Sequence, residues 1–93
     1  MEKCLKISGR VQGVGYRYWA VRQAHAIGGI SGYICNLSDG DVMVYLNGEE
    51  DAVNKMQTLL YQGPLFARVY QIEECPLGKN YFPPLQDGVF KRL

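Results

Sequence analysis

The chain reads as a single α+β sandwich in which an antiparallel sheet carries two helices on one face. Three observations carry this expectation. Short runs alternate apolar with polar residues, as half-buried strands do. Two longer runs repeat their apolar residues at the spacing of one helical face. Turn signals separate them: Gly13 and Gly15, Gly28-Gly29, Asp39-Gly40, Gly63-Pro64. With 93 residues there is apolar material for one core of two packed layers, so 1–93 is expected to be one domain.

Lys3 to Ser8 sets Leu5 and Ile7 on one face and Cys4, Lys6 and Ser8 on the other, which predicts a strand. A glycine-rich turn follows. Tyr16 to Ile27 then repeats Tyr16, Ala20, Ala24 and Ile27 along one helical face, and Gly28-Gly29 stops it as a glycine C-cap. Ile30 to Leu37 is the second strand. Asp39-Gly40 signals a hairpin, and Asp41 to Asn47 returns as the third strand, with Val42, Val44 and Leu46 alternating against Met43 and Tyr45.

Glu49-Glu50-Asp51 places three carboxylates in the first turn of a second helix, where they complement its dipole. Its apolar stripe is Ala52, Val53, Met56, Leu59 and Leu60, and Gly63-Pro64 ends it. Ala67 to Glu74 is a fourth strand with a poorer pattern. Gly78 to Gly88 reads as a loop rich in proline and aromatics, and Val89 to Leu93 as a short final strand.

Strand, helix, strand, strand, helix, strand is the split βαβ order (βαββαβ) of ferredoxin-like domains. The first helix makes a right-handed crossover, and the third strand inserts antiparallel between the first two. The ends of the first and second strands then lie at one edge of the sheet with the start of the first helix. Arg17 and Asn36, 19 positions apart, should therefore converge there with the turn from Gly9 to Gly15.

A net charge of +1 gives no general reason to expect nucleic acid or an anionic membrane surface as partner. No apolar run reaches a bilayer span and no leader-like stretch opens the chain, so a cytoplasmic monomer is expected. Cys4, Cys35 and Cys75 fit neither a zinc spacing nor a disulfide framework. They are expected as reduced apolar fillers, a pairing of Cys4 being left open. No metal or cofactor is expected.

Anion binding must then be local, and Ser8 to Tyr18 suits it. Glycines between a strand and a helix let consecutive backbone N–H groups point into one concavity, reinforced by the helix dipole. Arg17 adds a planar, permanently charged fork matched to phosphate. No Gly-Lys-Ser/Thr closes the turn, so it is not a Walker A loop.

The run Gly9-Arg10-Val11-Gln12-Gly13-Val14-Gly15-Tyr16-Arg17 resembles the signature of the acylphosphatase family, Gly-x-Val-Gln-Gly-Val-x-aromatic-Arg. Gly32-Tyr33-Ile34-Cys35-Asn36, followed by Asp39-Gly40 and Val42, resembles that family's second block. The similarity continues through Asn47-Gly48-Glu49-Glu50 and Gly63-Pro64 to Ala67 and Val69. It departs at Met43, where Glu or Gln is common, at Cys35, at the doubled Gly28-Gly29, and in the ending Val-Phe-Lys-Arg-Leu.

The resemblance implies a hydrolase acting on carboxylic–phosphoric anhydrides: acyl phosphate to carboxylate and phosphate, with no metal, cofactor or covalent intermediate. It assigns phosphate binding to Val11, Gln12, Gly13, Val14, Gly15, Tyr16 and Arg17, and the orientation of the attacking water to Asn36. Arg17 and Asn36 are thus the catalytic pair, and inorganic phosphate or sulfate is the expected site ligand. The residue types agree with this. Phosphoryl transfer asks mainly for positioning and electrostatics, and an Asn can direct a water when the leaving group is already good.

Each role has a plainer rival, a surface charge for Arg17 and turn chemistry for Asn36. His25 lies most of a helix from the turn and is read as surface. An RNA-recognition module would need aromatics on the first and third strands, where only Tyr45 stands. A metal carrier would need a Cys-x-x-Cys in the first loop, which has no cysteine. An idle phosphate-binding module would keep the cradle without hydrolysis.

Overall fold

The computed structural model describes residues 1–77 and 83–93, so part of the expected loop over 78–88 lies outside the described residues. The alternating and helical patterns resolve into β1 (Glu2–Arg10), α1 (Tyr16–Ile27), β2 (Ser31–Asn36), β3 (Val42–Asn47), α2 (Glu50–Gln62), β4 (Arg68–Cys75) and β5 (Phe90–Arg92). The sheet order is β4-β1-β3-β2-β5, which is the split βαβ order extended by one short strand.

One expectation needs correction. β1 is antiparallel to β3 and β4, and β3 to β2, but β5 runs parallel to β2, so the sheet is mixed. β4 and β5 stand at opposite edges, and no tight hairpin imposes a direction on the last strand.

Leu5 and Ile7 from β1, Ile34 from β2, and Val42, Val44 and Leu46 from β3 all face the helices and are fully buried. Tyr16, Ala20 and Ala24 of α1 and Val53, Met56 and Leu60 of α2 cover them. Each large apolar side chain taken out of water contributes roughly 1.5–3 kcal/mol, so this interface holds the two layers together. Leu59 and Ile27, expected in the stripes, are half-buried at the margins. β4 is the sheet edge with most of its residues exposed, which explains its poor alternation.

The start of α1 is tied to the end of α2. The buried Tyr16 hydroxyl donates to the Leu60 carbonyl at 2.6 Å, satisfying an acceptor in the last turn of α2. This joint fixes where α1 begins, and hence where the turn before it opens.

Candidate active site

β1 ends in an irregularity: its register with β4 shifts between Ser8 and Gly9. A Cβ on Gly9 would stand 2.0 Å from the Arg68 carbonyl oxygen, so only glycine lets the strand turn off here. Gly13 and Gly15 then take left-handed φ of 73° and 77°, in open space. They are there for backbone direction, not for lack of room. Gly15 is the N-cap of α1 and makes no side-chain cap, and the first turn carries no acidic residue. The leading N–H groups and the positive end of the α1 dipole are thus left open toward the turn.

The second half of the site comes from β2 and its hairpin. Asn36 ends β2 and is exposed. The hairpin is closed by Leu37 N–H donating to the Asp41 carbonyl at 2.8 Å, and by an Asx turn from Asp41 N–H to Asp39 at 2.9 Å. Lys6 reaches both carboxylates, Asp39 at 2.9 Å and Asp41 at 3.4 Å, and Ser8 donates to Asp41 at 3.0 Å. The Lys6 hydrogen bond is the largest influence holding the Asp39 carboxyl below its ordinary range, and the same pair raises Lys6.

Gln12 links the two halves. Its side-chain amide donates to the Leu37 and Asp41 carbonyls, each at 2.8 Å. A carboxamide that bridges two carbonyls of the hairpin holds the glycine turn against the strand end that bears Asn36.

Between these parts lies a cleft of about 190 Å³. The glycine turn contributes Val11, Gly13 and Gly15 to its wall, and α1 contributes Tyr16, Arg17 and Tyr18. Asn36 and Arg92 complete it, from β2 and β5. Arg17 and Asn36 both line it. Of the expected phosphate-binding residues, Gln12 and Val14 are absent from the wall: Gln12 is occupied as the brace, and Val14 packs against the core.

Two wall residues, Tyr18 and Arg92, were given no site role from the sequence. Arg92 had a signal, since alternation from the buried Phe90 puts it on the helix side, opposite Ile34 in register and near Asn36. Two arginines and no Asp or Glu line the wall, so its field favours an anion. Arg17 Nη1 donates to the Leu93 carbonyl at 2.9 Å, and Leu93 N–H donates to the Ile34 carbonyl at 2.9 Å. Burial raises the Cys35 thiol, next in the chain to Asn36, and the Arg17 charge partly offsets this.

Among the described residues no group of three His, Cys, Asp or Glu side chains could hold a metal, and no helix is long and apolar enough to cross a membrane.

Residues 3–82 match the acylphosphatase family profile. An acylphosphatase from Nitrobacter winogradskyi is 43% identical over 82 residues, covering 88% of this chain and 82% of that protein. One from Paraburkholderia xenovorans is 44% identical over 79 residues, covering 83% and 80%. The crystal structure of acylphosphatase from Bacillus subtilis superposes with a TM-score of 0.82 at 25% identity, over 99% of this chain and 97% of that one. Profile, relatives and architecture agree with the two sequence blocks that form the cleft, and the chain belongs to the acylphosphatase family.

Proposed function

We propose that this chain hydrolyses acyl phosphates to a carboxylate and inorganic phosphate in the cleft between the start of α1 and the end of β2. The observation that carries this reading is one cleft lined by the glycine turn, Arg17 and Asn36, with two arginines and no Asp or Glu in its wall. The phosphoryl oxygens sit on the N–H groups of the glycine turn and first α1 turn, and Arg17 balances their charge. Arg92 contributes a second positive group from β5.

The Asn36 side-chain oxygen accepts from a water and directs it at phosphorus, opposite the acyl oxygen. A P–O bond forms to the water, and the bond to the acyl oxygen breaks with its electron pair staying on the carboxylate. A phosphate oxygen takes the proton. Asn36 is a weak base, so the mechanism depends on the good leaving group of an anhydride.

The setting proposed is one domain, residues 1–93, acting as a cytoplasmic monomer on a small-molecule substrate. The three cysteines are all thiols, which suits a reducing compartment.

The test is benzoyl phosphate hydrolysis with chelator present, and inorganic phosphate as a competitive inhibitor. Asn36→Ala should lose turnover by at least about tenfold and keep its phosphate inhibition constant, because losing one transition-state contact usually costs that much or more. Arg17→Ala should lose both. Full turnover in Asn36→Ala sinks the mechanism, and phosphate binding without turnover in the unaltered chain leaves an idle binding module.

A further inference from the structure

We propose that Cys4, Cys75 and Met43 form a binding site for Cu(I) on the face of the sheet turned away from the helices. The site is independent of the cleft. Alternation along β1 sends Leu5 and Ile7 to the core and Cys4 to the opposite face, yet Cys4 is only 2% exposed. Two other sulfurs lie beside it. Cys75 of β4 is its direct register partner, and Met43 of β3 reaches in from the other side. The Cys4 sulfur lies 3.4 Å from the Met43 sulfur, and the Cys75 sulfur 3.9 Å from it.

The two separations to the Met43 sulfur, with Cys4 and Cys75 paired directly across β1 and β4, are close to those of a three-sulfur site. With metal–sulfur distances of about 2.3 Å, as in zinc thiolates, three sulfurs around one ion stand about 4 Å apart. The methionine, unbranched and with three rotatable bonds, can adjust its sulfur to the two thiolates.

The donor set decides the ion. Two thiolates and a thioether are soft ligands that select Cu(I), whereas magnesium and calcium require oxygen ligands. Structural zinc takes four donors from Cys, His or carboxylate. Here the third donor is a thioether, which is why no such group of His, Cys, Asp and Glu marks the place among the described residues.

Access agrees. Cys4 is buried, while Cys75 and Met43 are half-buried, so the triangle has a protected side and an open one. Binding releases the two thiol protons to water and leaves one net negative charge on the site. Lys6, the register partner of Met43 on β1, lies on the same face, with its ammonium already paired to Asp39 and Asp41. Cys35 also faces Met43, from β2 on the opposite flank of β3, and belongs to no triangle.

The test is anaerobic titration of the intact chain with Cu(I) against bicinchoninate, whose coloured complex reports the copper it loses. The chain should withdraw one equivalent. Met43→Leu and Cys75→Ser should each weaken retention by at least about tenfold, the lower end of what losing even an outer-shell partner costs. Cys35→Ser should retain copper as the unaltered chain does. Met43→Leu keeps the side-chain volume and decides the matter if Cys75→Ser unfolds. Failure of the intact chain to take copper overturns the proposal. So does unchanged retention in Met43→Leu, or loss of copper in Cys35→Ser.

Discussion

The two helices begin in opposite electrostatic states. α2 carries Glu50 and Asp51 in its first turn, so its own carboxylates meet the positive end of its dipole. α1 begins at a left-handed glycine, without a side-chain cap and without an acid in its first turn. The same backbone physics is satisfied internally in one helix and left open in the other. The open one faces the cleft. The difference teaches that a helix start stays available to an anion when the sequence withholds the groups that would ordinarily occupy it.

The comparison can be broken at several points. The largest effect is expected at the joint between the helices. Tyr16→Phe leaves the Leu60 carbonyl of α2 without its buried donor, at a cost of about 1–3 kcal/mol. This would be read as a lower urea midpoint with an unchanged slope. Burial also raises the Tyr16 phenol, which keeps it protonated and donating throughout the usual pH range.

Next, Tyr18→Glu would make α1 resemble α2. Tyr18 lines the cleft and is 60% exposed, so the change fits without disturbing the core. A carboxylate roughly 10 Å from a bound phosphate repels it by about 1.7 kcal/mol per unit charge at an effective dielectric near 20. The expected result is a fall in kcat/KM for benzoyl phosphate of about tenfold or more, together with a slight gain in thermal stability. Activity and stability moving together would argue that the α1 dipole has no role.

The smallest effect lies at α2. Glu50→Gln combined with Asp51→Asn removes its neutralising charges and should lower stability by about 0.3–1 kcal/mol for each residue. Benzoyl phosphate turnover should not change.

Much of this architecture was legible because it is local. The bounds of α1, Tyr16–Ile27, follow from an apolar face ended by Gly28-Gly29, and the structure has the same bounds. Arg17 and Asn36 converge because the split βαβ topology leaves little choice once the strands are ordered. What was not legible depends on register and on partners far away in the chain. The parallel pairing of β5 with β2 cannot be read from alternation, which is the same for either direction. Arg92 had an alternation signal, but without a known neighbour for β5 it pointed at nothing.

Gln12 shows a different limit. Its place in the turn suggested a main-chain role in the cradle, and nothing local foretold that its side chain would reach the hairpin carbonyls. The sulfur triangle was hidden for the same reason as β5. Cys4, Met43 and Cys75 are far apart in sequence, and only strand pairing sets them side by side.

The bond from Arg17 to the Leu93 carbonyl gives the short last strand a kinetic meaning. An arginine that roams its rotamers surrenders roughly 1.5–2 kcal/mol when it is immobilised. Here that loss falls on folding, so on the proposed reading an arriving phosphoryl group meets a guanidinium already held at the cleft. Fraying of β5 would then show itself first as slower capture of dilute substrate, well before the protein lost its shape.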